Sequence, residues 1–341
     1  MSAEPSISPL ASPGQQTGAG GGALRRLGRR LRGVDAGRYA VYVGFLAILI
    51  LFSITLSDEG FTSSRNLLNI LEATAPITVM AVATVFVLGA GEIDLSIGAV
   101  VALASLVAAL VMRETGAAVL GVAAGLGVGA GVGLLNGILV TRLRLPSFLV
   151  TLGTMGLVTG LAQRITNLES IPSVIEPFND VFGSGELLGV STLIVWTAVA
   201  VAIGHYVLRH SRTGAHVLAS GDNADAAQVS GVRVGRVKTG VLVASGIAAA
   251  FAGLMYTANL HGATYTLGSS DLLTVIAAVV IGGTRLFGGR GTVIGALVGS
   301  LLLGIVDNGL ILSGFSSSEQ MIAQGAIILI AVALTLREPA R

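Results

Sequence analysis

Ten apolar stretches, each long enough to cross or nearly cross a bilayer, dominate this sequence of 341 residues. A spanning helix needs about 20 apolar residues, with tolerance for shorter broken helices. Only 11% of the residues are charged, against about 25% in a typical soluble domain. The parts of the chain outside the apolar stretches are therefore not expected to form a soluble domain. The predicted spans are 39–56, 71–90, 95–112, 117–140, 146–163, 188–208, 239–259, 270–284, 292–312 and 321–336. The sequence therefore predicts an all-α polytopic membrane protein of about ten transmembrane helices, some short or broken.

The distribution of arginine and lysine predicts which side of the membrane each loop faces, because cytoplasmic loops carry an excess of both. With both termini in the cytoplasm, 17 of the 20 basic residues lie on that side, and only Arg65, Arg113 and Arg164 lie outside. We therefore expect an N-in, C-in arrangement. The span at 270–284 is the weakest, because it is short and ends in GGTRLFGGRG. If it is re-entrant, the C-terminus faces the other side unless a second span is also wrong.

The two ends of the chain differ in composition from its apolar body. Residues 1–38 combine a Pro-, Ser- and Gly-rich tail with the basic run LRRLGRRLRG at 24–33. We expect a disordered, basic cytoplasmic tail whose arginines contact anionic membrane lipid. A cleaved signal peptide fits poorly, because the first apolar segment begins late and no A-x-A type site follows it. The predicted domains are this tail, a transmembrane domain at 39–336, and a short cytoplasmic tail at 337–341.

A polar stretch, RHSRTGAHVLASGDNADAAQVSGVRVGRVK, interrupts the apolar chain at 209–238. It carries the signals of a short helix: Asp222 suits the N-cap, Asp225 suits the first turn, and Gly231 suits the left-handed position after the end. The arrangement of basic residues places this loop in the cytoplasm. A short helix held between two spans can transmit force from a soluble partner, so this stretch is the best pointer to function.

The sequence argues against nucleotide hydrolysis and metal chemistry by this chain. The segment GVRVGRVKT at 231–239 resembles a P-loop only superficially, because Val237 stands where a P-loop needs glycine before its lysine. The chain has no cysteine and four scattered histidines, so disulfides are excluded and no metal site is expected. We therefore expect no cofactor bound by this chain.

The fourth span contains a glycine at every fourth position, which lets another helix approach its backbone closely. Packing within one subunit is favoured over a seam between two subunits. The residues are Gly121, Gly125, Gly129, Gly133 and Gly137.

Glu92 and Asp94 lie between the second and third spans, where a carboxylate at the bilayer centre would be costly. In the favoured interpretation Asp94 and Ser96 cap the following helix, while nearby glycines permit a sharp chain reversal. In the other, a carboxylate lines a solute path or pairs with a basic residue as the protein changes state.

Several polar side chains in or beside the spans are candidates for lining a translocation pathway, because amides and hydroxyls suit transient contact with a hydroxyl-rich solute. The same residue types often only join one helix to another. The candidates are Asp94, Asn136, Thr151, Thr154, Asn259, Thr274, Asp307 and Asn308.

Four segments together resemble the permease subunits of ribose-type, simple-sugar ABC importers, in the right order and over nearly everything after residue 40. They are GEIDLSIGAVVALAS, NGILVTRLRLPSFLVTLGTMGLVTGLA, RTGAHVLASGDNADAAQVSGVRVGRVK and AAVVIGGTRLFGGRGTVIGALVGSLLLGIVDNGL. Ala90 and Glu92 depart from the more usual GGIDLS-like wording.

The resemblance implies a mechanism. Two permease subunits, expected to be identical copies, would form the pathway for a monosaccharide delivered by an extracytoplasmic binding protein, in a bacterial cytoplasmic membrane. A separate cytoplasmic ABC ATPase would use ATP and Mg, so the chain would be no enzyme and would bind no nucleic acid. Within the permease domain at 39–336, the loop 209–238 would be the ATPase-coupling loop. Its residues would be Arg212, Gly214, Gly221, Asp222, Ala226, Ala227, Ser230 and Gly231, together with the first-turn Asp225.

Three other functions stay open at this point. A branched-chain amino acid ABC permease shares the general plan. An ion-coupled secondary transporter would use Glu92, Asp94 and Asp307 as ion sites, and it would leave the polar loop unexplained. A channel-like protein would need no energy source.

Overall fold

Each of the ten apolar stretches forms a helix, and three shorter helices lie between them. The computed structural model describes residues 36–336, so the predicted tails at 1–38 and 337–341 lie outside the described residues apart from 36–38. The helices are α1 Ala36–Thr55, α2 Ser64–Gly89, α3 Ile97–Thr115, α4 Ala118–Arg142, α5 Ser147–Thr166, α6 Glu176–Asn179, α7 Thr192–His210, α8 Arg212–Asp222, α9 Ala224–Val229, α10 Val234–Asn259, α11 Asp271–Ile281, α12 Val293–Leu312 and α13 Ser317–Leu336.

The described helices confirm the predicted class, an all-α polytopic membrane protein. Seven of them are long and apolar enough to cross a membrane by length and composition: α2, α3, α4, α5, α7, α10 and α12. The count of ten spans and the N-in, C-in orientation stay predictions.

Helix bounds differ from the predicted spans mainly at polar ends. Helix α2 begins at Ser64 instead of 71, because the Ser63 hydroxyl accepts a hydrogen bond from the Asn66 amide at 3.3 Å and caps a polar first turn. Helix α11 ends at Ile281 instead of 284, where Gly283 adopts a φ of +88° that stops the helix. Hydropathy marks only the apolar part of a helix, so such ends escape it.

Helices α2, α3 and α10 form the centre of the bundle. Over the most apolar 18 residues of each helix, 72%, 67% and 67% of the residues are buried in α2, α3 and α10. The corresponding fractions in α4, α5 and α7 are 22% to 28%. The outer helices therefore present apolar side chains to their surroundings, as helices in lipid or at a subunit contact do.

The glycine stripe of α4 lies against α10 and α3 of the same chain. A Cβ atom placed on Gly129 would lie 2.2 Å from the Gly246 carbonyl oxygen, and one on Gly133 would lie 2.4 Å from that of Leu242. Towards its other end, a Cβ on Gly121 would lie 2.8 Å from the Ala108 carbonyl oxygen of α3. Glycine at these positions lets α4 pack with its backbone in contact with both central helices.

The polar stretch forms two short helices, α8 and α9, instead of the single predicted one. Ser211 caps α8, accepting a hydrogen bond from the Gly214 amide at 3.3 Å. The predicted N-cap of α9 was wrong by one residue: Asp222 ends α8, and Asn223 caps α9 by accepting from the Ala226 amide at 2.9 Å. Asn and Asp cap equally well, so the residue type alone could not place the cap. Gly231 adopts the predicted left-handed conformation, with φ of +88°.

Two pairs of short strands lie in the connections between helices. Strand β1 (Ile171–Pro172) pairs antiparallel with β4 (Gly262–Ala263). Strand β2 (Glu186–Leu187) pairs with β3 (Val190–Ser191). A π-helical turn at Asp180–Ser184 follows α6.

Candidate functional site

The segment 90–96 enters the bundle between α2 and α3 without forming helix, and Asp94 lies at its centre. Ser96 donates to Asp94 Oδ1 from its amide at 2.9 Å and from its hydroxyl at 2.6 Å. The Ser245 hydroxyl of α10 donates to Asp94 Oδ2 at 2.7 Å. The predicted capping was wrong in detail, because neither Asp94 nor Ser96 makes a side-chain cap bond to the first turn of α3. Asp94 instead ties the segment to α10.

Three other predicted pathway residues belong to the same polar network. The Asn136 side chain of α4 donates to the Ser96 hydroxyl at 3.0 Å and accepts from the Thr154 hydroxyl of α5 at 2.7 Å. The Thr151 hydroxyl accepts from the Leu95 amide at 3.0 Å. The network therefore joins α4, α5 and α10 to one non-helical segment.

Burial shows what the network does in this conformation. Asn136, Thr151 and Ser245 have 0% relative exposure, and Asp94 has 9%. Backbone groups of a non-helical segment must find partners inside a membrane protein, and this network supplies them. The sequence does not single out Ser245, because a serine within an apolar span is common.

The network predicts a measurable difference between two buried serines. Ser245→Ala leaves Asp94 Oδ2 without its donor and is expected to lower the thermal unfolding temperature, since an unsatisfied buried group costs about 1–3 kcal/mol. Ser105→Ala is the control, because that equally buried hydroxyl donates only to Val101 within its own helix. Equal unfolding temperatures of the two purified variants would show that the Asp94 contact is not stabilising.

An ion pair joins the same segment to the N-terminal end of α10. The distribution of basic residues predicts that this end faces the cytoplasm. Lys238 Nζ lies 2.5 Å from Glu92 Oε1, and the glutamate side chain is 6% exposed. Lys238 is the single lysine of the sequence. Pairing removes much of the cost of a buried carboxylate, so the unusual residue at 92 has a structural partner.

Three backbone segments meet at Gly221, the residue before the last of α8. A Cβ atom on Gly221 would lie 2.1 Å from the Gly89 carbonyl oxygen at the end of α2, and 2.9 Å from the Gly289 amide nitrogen. The Gly289 amide also donates to the Gly89 carbonyl oxygen at 3.2 Å. A Cβ on Gly288 would lie 2.5 Å from the Gly221 carbonyl oxygen. We call this contact of Gly89, Gly221, Gly288 and Gly289 the glycine junction.

The glycine junction connects α8 and α9 to two interrupted parts of the bundle. Gly89 leads directly into the non-helical segment 90–96. Gly289 lies in the loop 282–292 after α11, a helix of 11 residues that is about 16 Å long and too short to cross a bilayer. The four residues of the junction are glycines, so the backbones of α8, the end of α2 and the loop 282–292 lie in direct contact. In the sequence, the glycine-rich run GGTRLFGGRG indicates that the chain is interrupted here. No local pattern indicates that this run contacts α8.

The other predicted pathway residues lie apart from this network. Asp307 of α12 accepts from the Gln324 side chain of α13 at 2.7 Å, and Asn308 exchanges two amide hydrogen bonds of 2.9 Å with Asn66 of α2. Thr274 is buried in α11, and Asn259 is exposed at the end of α10. In this structure Asp307 and Asn308 therefore join helices to one another.

The remaining residues of the predicted coupling loop lie on α8 and α9 or, for Ser230, directly after α9. Gly214 packs closely on α7, since a Cβ there would lie 2.3 Å from the Leu208 carbonyl oxygen. Ala227 is buried. The others are exposed or partly exposed: Arg212, Asp222, Asp225, Ala226 and Ser230. Helix α9 thus exposes both polar and apolar side chains, including Asp225, Gln228 and Val229.

The described residues form a polytopic helical bundle in which the short helix α8 contacts two interrupted parts of the bundle. Residues 66–332 match the family model described as branched-chain amino acid transport system / permease component. The chain belongs to this family of permease components, which are transport subunits and not enzymes.

Relatives named as sugar permeases match the chain over most of their length. The chain is 38% identical to the ribose import permease protein RbsC of Escherichia coli strain K12 over 292 residues, 84% of this chain and 91% of the relative. It is 38% identical to the protein of that name from Bacillus subtilis strain 168, over 88% of this chain and 92% of the relative. It is 36% identical to the L-arabinose ABC transporter permease protein AraH of Azospirillum brasilense, over 86% of each chain. No solved structure matches the chain.

Proposed function

We propose that this chain is the permease subunit of an ABC importer for a ribose-type monosaccharide. The glycine junction carries the mechanistic part of the proposal, because it links α8 and α9 to both interrupted segments of the bundle. The substrate class is supported by relatives named for ribose and arabinose. The family description names branched-chain amino acids, but a family model covers a broad group, whereas the pairwise identities extend over most of both chains.

The partners follow from the proposed class. A cytoplasmic ABC ATPase binds α8 and α9 and supplies ATP and Mg, while an extracytoplasmic binding protein delivers the sugar to the opposite end, near β1 and β4. A second, identical copy completes the pathway against the exposed apolar faces of the outer helices. The chain lies in a bacterial cytoplasmic membrane with both termini inside, which the basic residues of 209–238 support.

The substrate is tested with the complex of this permease, its ATPase and its binding protein in proteoliposomes. ATP-dependent uptake of D-ribose is expected to exceed that of L-arabinose and L-leucine. Uptake of L-leucine alone would favour the branched-chain alternative, and uptake driven by a proton gradient without the ATPase would refute the ABC mechanism.

The coupling role of α9 is tested with two prolines in one short helix. Ala227→Pro removes the hydrogen bond from the Ala227 amide to the Asn223 carbonyl oxygen and is expected to reduce uptake and stimulated ATP hydrolysis together by about tenfold or more. Ala224→Pro is the matched control, because proline is tolerated at the first position of a helix and Asn223 before it is extended.

Both proline variants should insert into the membrane at wild-type levels. Wild-type stimulated ATPase activity in the Ala227→Pro complex would contradict a coupling role for α9. Equal loss in both variants would show that the defect is not specific to the helix interior.

A further inference from the structure

The segment 260–270 between α10 and α11 descends into the bundle without forming helix. Gly268 packs on α3: a Cβ on Gly98 would lie 2.5 Å from the Gly268 carbonyl oxygen, and a Cβ on Gly268 would lie 2.7 Å from Val101 Cβ. Gly253 of α10 packs on the same turn, because a Cβ on Gly253 would lie 2.7 Å from the Val101 carbonyl oxygen. Gly253 precedes Asn259 at the end of α10 by six residues, a rise of roughly 9 Å. Gly268 therefore lies well inside the bundle.

The segment is held firmly at this depth. Strand β4 at its start pairs with β1. At its other end, the Tyr256 hydroxyl of α10 donates to Asp271 Oδ2 at 2.7 Å, and Asp271 begins α11. The segment is therefore attached to its neighbours at both ends.

That surface is polar and open. Thr266, Ser269 and Ser270 are exposed, and the Thr266 hydroxyl lies 3.1 Å from that of Thr264. Within the segment, the Ser269 amide donates to the Thr266 carbonyl oxygen at 3.1 Å, and the Asp271 amide donates to that of Gly268 at 3.2 Å. Among the described residues, the amides of Thr266 and Ser270 have no protein acceptor.

Lipid cannot cover such a surface. Irregular backbone at membrane depth is tolerated only where protein buries it or where it lines a water-filled cavity, because hydrocarbon offers no hydrogen-bond partner. None of the described residues covers Thr266, Ser269 and Ser270, and the second copy is proposed to lie against apolar helix faces, so the hydroxyls and amides of this segment face water. Hydroxyls donate and accept, and backbone amides donate, which suits a neutral solute rich in hydroxyl groups.

We propose that the segment Thr264–Asp271 lines the translocation pathway and that Thr266, Ser269 and Ser270 bind the hydroxyl groups of the passing sugar. This inference rests on the proposed sugar-import function and locates a substrate-contacting surface within it. The residues were not among the pathway candidates predicted from the sequence, because TYTLGSSD is typical of an ordinary polar loop.

Water exposure is tested by cysteine labelling of the assembled transporter, and the permease contributes no cysteine of its own. Ser269→Cys and Ser270→Cys are expected to react with a charged methanethiosulfonate at least about tenfold faster than Ile50→Cys, because only a hydrated thiol ionises readily. Ile50 is the control, since it is exposed among apolar neighbours on α1. Rates no faster than that of the Ile50→Cys variant would overturn the proposal.

Sugar binding is tested by D-ribose uptake. The double variant Ser269→Ala/Ser270→Ala is expected to lower kcat/KM for uptake by about tenfold, as the loss of two modest hydrogen bonds predicts. Ser269→Thr keeps a hydroxyl and is expected to retain more than half of the wild-type value. Unchanged kcat/KM in the alanine variant would overturn sugar binding by these residues. Absence of uptake by the wild-type complex would instead refute the proposed function, and the labelling rates would be unaffected.

Discussion

Replacing Gly221 with alanine is expected to abolish ATP-driven uptake while the permease still inserts and binds its ATPase. The new Cβ would lie 2.1 Å from the Gly89 carbonyl oxygen and 2.9 Å from both the Ala90 carbonyl carbon and the Gly289 amide nitrogen. These are backbone atoms, so no side-chain rotation can relieve the clash, and overpacking of this kind costs about 1–3 kcal/mol or more. The three segments must separate, and a displacement of α8 then no longer reaches 90–96 or 282–292.

The matched control for this substitution is Gly240→Ala on α10, where a new Cβ meets nothing within 4 Å. Uptake, ATPase binding and stimulated ATP hydrolysis are measured on the same proteoliposomes. We expect the Gly221 variant to lose uptake by at least about tenfold while keeping ATPase binding, and the Gly240 variant to resemble wild type. More than half of wild-type uptake in the Gly221 variant would show that transport does not depend on the glycine junction.

Replacing Gly129 with leucine is expected to prevent the permease from folding stably. A Cβ there would lie 2.2 Å from the Gly246 carbonyl oxygen and 2.7 Å from the Ala250 Cβ. Leucine is apolar and favours helix more than glycine does, so membrane insertion and the helix itself do not suffer. The expected loss comes only from forcing α4 and α10 apart.

Gly127→Leu on the same helix is the matched control, because it makes the same change of residue type where a Cβ meets nothing within 4 Å. A difference between the two variants therefore reports on packing alone. In detergent, the Gly127 variant should elute as a single folded species with a wild-type unfolding temperature. The Gly129 variant should aggregate or unfold at a clearly lower temperature. Equal behaviour of the two variants would mean that α4 and α10 do not pack in this way.

The bundle could be predicted from the sequence because its elements are local. Each apolar stretch had to become a helix, since a membrane leaves the backbone no other way to satisfy its hydrogen bonds along a single stretch. The stop at Gly231 and the break near Asp94 were also visible, because glycine and carboxylates within an apolar chain have few tolerable positions. The cap at Asn223 and the separate helix α8 were not, since several neighbouring residues can cap equally well.

The predicted pathway residues illustrate the limit of the same reasoning. Asp94, Asn136, Thr151 and Thr154 were chosen as polar groups in apolar surroundings, and the structure gathers them into one buried network. Their polarity was visible, but their exposure depends on which helices cover them. The hydroxyls at 264–271 were not chosen from the sequence, yet they are exposed in the structure. Their position inside the bundle depends on the contact of Gly268 with α3, which the sequence does not reveal.

The sequence by itself determined the class of protein, the places where the chain is helical, and the polar loop at 209–238 that interrupts its apolar spans. Only the tertiary structure decided that Asp94 meets Ser245, 151 residues away, and that Gly221 meets Gly89 and Gly289. The reason is physical: hydropathy and capping act within a few residues along the chain. Contacts between distant segments depend on how helices pack, and a glycine that permits such a contact does not indicate in the sequence which backbone it will meet.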